Sequence, residues 1–140
     1  MTCETHDAAA GRPQLEHERL EVYAVSLRFH ATACALLPRR DVRTLRDQLE
    51  RASLGVVLNV AEGAGRRSGP DRRRFYEMAR GSATESAAII DVLRVRALAA
   101  PGPCDEARGL AVRVVQMLTK LAGPPREPLS TSGRGRGREP

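Results

Sequence analysis

The sequence predicts an all-α protein: an antiparallel up-down-up-down four-helix bundle with disordered N- and C-terminal tails. Three observations carry this expectation. Apolar and small residues recur at threes and fours through four successive segments, Pro- and Gly-rich breakers separate those segments, and no stretch shows the alternation of a half-buried strand. The core must also be unusual, because aromatic residues make up 3% of the chain and Trp is absent. Leu, Val, Ile and Ala are left to fill it, and such side chains suit helices that approach closely. A chain of 140 residues allows one domain with a single modest core.

The folded domain is expected over residues 15–122, with residues 1–14 as a polar, small-residue tail. Residues 123–140, rich in Pro, Gly, Ser and Arg, form the second tail. Breakers fall at Pro38-Arg39-Arg40-Asp41, at Arg67-Ser68-Gly69-Pro70-Asp71 and at Pro101-Gly102-Pro103-Cys104-Asp105. In the first helical segment the expected core stripe is Leu20, Ala24, Leu27, Ala31 and Cys34. The second offers Leu45, Leu49, Ala52, Val56 and Val60, with Leu54, Val57 and Leu58 apolar beyond that stripe. The third offers Phe75, Ala79, Ser82, Ser86, Ile89 and Leu93, and the fourth Ala107, Leu110, Val114, Leu118 and Leu121. Asp71 and Asp105 are placed to cap the third and fourth helices through their carboxylates. Short connections favour antiparallel neighbours, so the turn between helices two and three lies at the end opposite the other two turns.

Several function classes lose support. No apolar run approaches the length of a membrane span, and Met1 to Gln14 lacks a basic leader and an apolar stretch, so a cytoplasmic protein without membrane contact is expected. Cys3, Cys34 and Cys104 are odd in number and form no C-x-x-C pair, which fits reduced thiols. His6, His17 and His30 form no i, i+4 pair among themselves and are read as lacking a Cys or carboxylate at ligand spacing. Neither a metal nor another cofactor is expected. Gly63-Ala64-Gly65 is no dinucleotide fingerprint, a phosphate-binding P-loop is absent, and no Glu-x-x-His pairs carboxylates for a di-iron site. No catalytic residue is assigned and the protein is not expected to be an enzyme.

What remains is charge. The formal net charge is +6, and Lys120 is the only lysine. An Arg bias of this kind arises from GC-rich coding as readily as from phosphate binding, so the location of the arginines matters more than their number. From Arg66 to Arg80 six arginines, Arg66, Arg67, Arg72, Arg73, Arg74 and Arg80, stand against two carboxylates, Asp71 and Glu77. Guanidinium groups at this bundle end could grip a phosphate backbone, with Phe75 or Tyr76 as a stacking neighbour, or simply be solvated. Arg39, Arg40, Arg43 and Arg46 make a second basic region at the opposite end, and Arg126, Arg134, Arg136 and Arg138 lie in the tail. Just before the turn, Asn59, Glu62, Gly63 and Arg66 share a helix face; either Glu62 pairs with an arginine such as Arg66, or the face forms a polar pocket. The apolar width of helix two and the small residues of helix three (Ala79, Gly81, Ser82, Ala83, Ser86 and Ala87) fit either central packing or self-association.

Three groups of residues carry a resemblance: Gln48-x-x-Arg51-Ala52; Asn59-x-Ala61-Glu62-Gly63-x-Gly65-Arg66; and Ser68, Phe75, Ala79, Gly81-Ser82 and Glu85. From about Leu20 to Leu121 the chain resembles the small bacterial four-helix-bundle proteins named after reading frames in 23S rRNA intervening sequences. That name records where the genes were found and does not show a ribosomal product. The sequence departs from the family pattern at Tyr23 (usually Trp), Gly55 (Ser), Val57 (Pro) and Arg72 (an aromatic). The resemblance implies a homo-oligomer, by analogy a ring-like homopentamer, and gives Asn59, Glu62, Gly63, Gly65, Gly81, Ser82 and Glu85 structural roles. A related branch, the accessory variability proteins of diversity-generating retroelements, implies RNA or DNA and a reverse transcriptase or other protein as partners. Candidate nucleic-acid contacts are Arg51, Arg66, Arg67, Arg72, Arg73 and Arg74, of which Arg51 and Arg66 match basic positions of the pattern. The alternative is a structural adaptor that binds a protein and whose arginines serve solubility.

Overall fold

The computed structural model describes residues 13–36 and 43–123. Most of the two expected tails, the breaker at Pro38 to Asp41, Cys3, His6 and the tail arginines lie outside the described residues. A single 3-10 turn, Glu16–Arg19, precedes four α-helices: α1 Glu21–Ala35, α2 Arg43–Ala64, α3 Gly69–Val95 and α4 Pro101–Ala122. No strand occurs among the described residues.

The buried face of α1 is not the expected one. Val22, Val25, Ser26, Phe29 and Ala33 face the core, while Ala24 and Ala31 are exposed and Leu27 is 44% exposed. Two apolar stripes run along this helix, and the one carrying Phe29, a fully buried aromatic, removes more surface from water. In α2 the expected face holds: Leu49, Ala52, Val56 and Val60 are buried and Leu45 packs beside them. Val57, one of the extra apolar positions, is buried too, whereas Leu54 and Leu58 stay 43% and 56% exposed. The helix runs unbroken through Val57, where a proline would have removed a backbone donor.

Ser68, not Asp71, caps α3: its hydroxyl accepts from the Asp71 N–H at 3.2 Å. Gly69 and Pro70 therefore belong to the first helical turn, where an N–H has no intrahelical acceptor and proline costs nothing. The core face of α3 is Tyr76, Ala79, Ala83, Ser86, Ile89, Ile90 and Leu93, so Phe75 and Ser82 of the expected stripe are only half-buried. At the other end Ala97 takes φ 52°, and the Leu98 N–H bonds to the Leu93 carbonyl at 2.8 Å. This 6→1 bond closes the helix while Leu98 folds back onto the core.

The third breaker is likewise absorbed into a helix. Pro101 and Pro103 open α4 after Ala100, which offers no side-chain cap. Asp105 lies a turn further in and pairs with Arg94 of α3 instead of capping. Cys104, Ala107, Leu110, Ala111, Val114, Leu118 and Ala122 are buried, but Leu121 is 45% exposed.

The four helices share one core cluster, with α1 packed on α2 and α4, and α3 packed on α2 and α4. Partners across α3 and α4 run in opposite order: Arg80 with Thr119, Asp91 with Arg108, Arg94 with Asp105. The same holds across α2 and α3, where Gly55 faces Ser82 and Gly63 faces Tyr76. The α2–α3 turn thus stands at one end of the packed helices. Among the described residues the three buried serines cost little, because Ser26 and Ser86 donate to carbonyls one turn back, at 2.7 and 2.8 Å, and Ser53 meets His30.

Candidate nucleic-acid interface

Residues 65–68 connect α2 to α3, and a short connection between two packed helices needs its backbone carbonyls satisfied. Arg72 supplies that: its Nη1 donates to the carbonyls of Arg66 at 3.2 Å and Arg67 at 2.9 Å. The residue that departs from the family's aromatic is therefore a staple across the turn. Gly63 makes the close approach possible. A Cβ built there would lie 2.9 Å from the Tyr76 ring and 3.0 Å from Phe75 Cβ. Tyr76 is 6% exposed and covers this glycine, so it is unavailable for stacking, contrary to the sequence expectation. Burial pushes the Tyr76 phenol up, against the lowering effect of Arg72, and it stays neutral.

Phe75 occupies the outer side of the tip. The guanidinium carbon of Arg66 lies 4.8 Å from its ring centroid and that of Arg74 lies 5.1 Å away, both within cation–π range. Arg66 also pairs with Glu62 one turn back, which is the expected partner for that carboxylate. Arg73 binds Glu77 at 3.1 Å. Arg67 and Arg74 are exposed and meet no carboxylate among the described residues. The five arginines thus divide by job: Arg72 holds the turn, Arg73 is ion-paired, Arg66 is held between Glu62 and Phe75, and Arg67 and Arg74 keep their charge outward.

Arg51 does not join them. It sits about 16 Å from Glu62 along the α2 axis, at 1.5 Å per residue. There it lines a groove of about 460 Å³ between α1 and α2, with His30, Cys34, Asp47, Glu50 and Leu54. Arg43, of the second basic region, is exposed, and Arg46 approaches Glu50 at 3.8 Å.

The groove contains a contact that the sequence reading missed. His30 and Cys34 stand four residues apart on α1, with Sγ 3.7 and 3.8 Å from the two ring nitrogens. His30 Nδ1 also lies 2.7 Å from Ser53 Oγ of α2. Near-equal distances place the sulfur midway between the two ring nitrogens and not along either lone pair. Among the described residues no three His, Cys, Asp or Glu side chains converge to hold a metal ion. Burial, helped by Glu50, pushes the Cys34 thiol up, and burial does the same at Cys104.

Of the family-motif positions, Asn59 is half-buried, Gly63 is packed under Tyr76, and Glu85 and Gly81 are exposed. Gly81 has nothing within 4 Å of a built Cβ. A Cβ on Gly65 would make only ordinary contacts, at 3.7 Å or more, so the geometry does not explain a glycine there. Ser82 lies opposite Gly55, its Oγ 3.3 Å from a built Cβ.

The fold and this tip define a small all-helical protein with an arginine-lined turn between its second and third helices. Residues 18–120 match the family described as 23S rRNA-intervening sequence protein, and the chain belongs to that family. The match covers α1 to α3, all but the last two residues of α4 and the whole motif region, in agreement with the resemblance read from the sequence. No curated protein matches the chain.

Proposed function

We propose that this chain is a non-enzymatic homo-oligomer of up-down-up-down four-helix bundles that binds nucleic acid or a nucleoprotein through its arginine tip. The observation that carries the reading is the division of labour at the α2–α3 turn. Arg72 Nη1 donates to two backbone carbonyls, and the fixed turn then holds Arg66 and Arg74 against Phe75 with Arg67 exposed beside them in the chain. A patch serving solubility alone has no need of such fixing. Membership in a family named for rRNA intervening sequences fits a small helical nucleic-acid-associated protein. Self-association draws support from the apolar side chains left outside the core, Leu27 on α1 and Leu54 and Leu58 on α2. A ring of five copies and an adjacent reverse transcriptase belong to the proposal as expectations from the resemblance, and a cytoplasmic location as an expectation from the sequence. No helix among the described residues is long and apolar enough to cross a membrane.

The test is binding of a labelled RNA or DNA as a function of salt. Each phosphate contact contributes about 0.7 to 0.9 to the slope of log affinity against log salt, so Arg67→Gln with Arg74→Gln lowers that slope by about 1.5. An unchanged slope removes the tip from the argument. If neither nucleic acid binds at low salt, the exposed apolar stripes favour the second reading, an adaptor for a protein partner.

A further inference from the structure

Charge alone favours duplex over single-stranded nucleic acid, because the phosphates of the duplex are more densely spaced. The tip contains more than charge. Phe75 is half-buried, with Arg66 and Arg74 at 4.8 and 5.1 Å from its centroid. A guanidinium is planar with weakly hydrated faces, so a flat ring stacks on it while its edge N–H groups remain available to phosphate oxygens. Glu62 anchors Arg66 and the Arg72 staple fixes the backbone beneath it, which lowers the ordering cost of binding. Arg74 is exposed and has no carboxylate partner among the described residues, so its outer face and edge are open.

A duplex hides its base faces against one another, whereas a single strand exposes them to aromatic rings and guanidinium planes. Resting on the nucleic-acid reading above, we propose that Arg66, Phe75 and Arg74 form a stacking site for one unpaired base of a single-stranded nucleic acid. Arg67 and the edge of Arg74 take the adjoining phosphates. The remaining arginines do not enter: Arg73 is bound to Glu77, and Arg72 is committed to the turn.

The experiment compares the full chain, Arg74→Lys and Phe75→Leu for binding to one labelled single-stranded DNA of about 12 nucleotides and to its duplex, by fluorescence anisotropy at a single salt concentration. Arg74→Lys keeps the charge and removes the plane; Phe75→Leu keeps the Cβ beside Gly63 and removes the ring. The wild-type protein is expected to bind the single strand more tightly than the duplex. Each variant should weaken the single strand about tenfold, the weight of one stacked base, and leave the duplex nearly unchanged. Arg74 is exposed, so its variant decides the matter even if Phe75→Leu disturbs the tip. A duplex bound as tightly as the single strand, or an unchanged single-strand affinity in Arg74→Lys, overturns the stacking site and leaves binding by charge intact. Binding to neither strand overturns the nucleic-acid reading as well.

Discussion

Two glycines of the family motif lie in helices, Gly81 in the middle of α3 and Gly63 in the last turn of α2, and replacing each with alanine should have opposite effects. In an exposed helix interior, Gly→Ala stabilises by about 0.8 to 1 kcal/mol, because the backbone loses less entropy on folding. Gly81 meets that description, being exposed with nothing within 4 Å of a built Cβ, and Gly81→Ala should gain the full amount. Gly63 has the same helical backbone but a different neighbour: its Cβ would stand 2.9 Å from a carbon of the buried Tyr76 ring. The ring is rigid and enclosed, so relief requires moving it or the helices, an overpacking cost of about 1 to 3 kcal/mol. Gly81→Ala measures the propensity gain in a helix middle, an upper limit for Gly63 in a last turn, so the difference between the two variants bounds the clash from above. At about 4 to 8 °C per kcal/mol for a domain of this size, Gly63→Ala should melt at least about 4 °C below Gly81→Ala. Circular dichroism melts at matched protein concentration make the comparison, since association would make Tm concentration-dependent. A parallel rise in Tm for both variants would refute the packing argument at the tip. A third variant, Gly63→Ala with Tyr76→Leu, should recover part of the loss if the ring is the obstacle.

Ala97 holds φ 52° where glycine is favoured, so Ala97→Gly should stabilise by up to about 1 kcal/mol, read as a higher urea midpoint at unchanged slope. Ser68→Ala removes the hydroxyl that accepts from the Asp71 N–H and should cost about 1 kcal/mol by the same measurement; no change would mean that the cap contributes nothing. Cys34, Cys104 and Tyr76 all have raised folded-state pKa values, so their stabilising contribution is complete below the unfolded-state values. It is lost as pH rises through the folded-state values, because the unfolded chain releases its protons first. Urea midpoints should therefore fall above about pH 9 and fall less steeply in Cys104→Ala; a flat profile would contradict the burial argument.

The helix count and the core faces of α2 and α4 were largely legible, because Leu49, Val56, Val60, Leu110, Val114 and Leu118 recur with one dominant period. The face of α1 was not, since Leu20-Ala24-Leu27-Ala31 and Val22-Val25-Phe29-Ala33 keep equally good helical spacing. Only the neighbouring helices decide which stripe is covered. The helix caps expected at Asp71 and Asp105 lie three and five residues past the observed ones at Ser68 and Ala100, because proline was read as a stop although a first helical turn accepts it without loss. At the site, the pairing of Glu62 with Arg66 followed from i, i+4 spacing. The staple by Arg72 did not, because it depends on a carbonyl direction that a short connection acquires only after α2 and α3 have packed. Tyr76 and Phe75 are adjacent in sequence and a helix turns them to different surroundings, one under Gly63 and the other toward the arginines. The contact of His30 with Cys34 was available from spacing and was overlooked, whereas its partner Ser53 comes from another helix.

The enclosure of Tyr76 against Gly63 also gives the tip an optical label of its own. With no Trp and only two tyrosines in the chain, Tyr23 and Tyr76, ultraviolet emission comes from two positions. Tyr23 lies near the start of α1 against His17, with ring centroids 4.6 Å apart, while Tyr76 lies beneath the turn. A Tyr23→Phe protein therefore emits from the α2–α3 tip alone, and opening of that end can be watched separately from the unfolding of the rest without an attached dye.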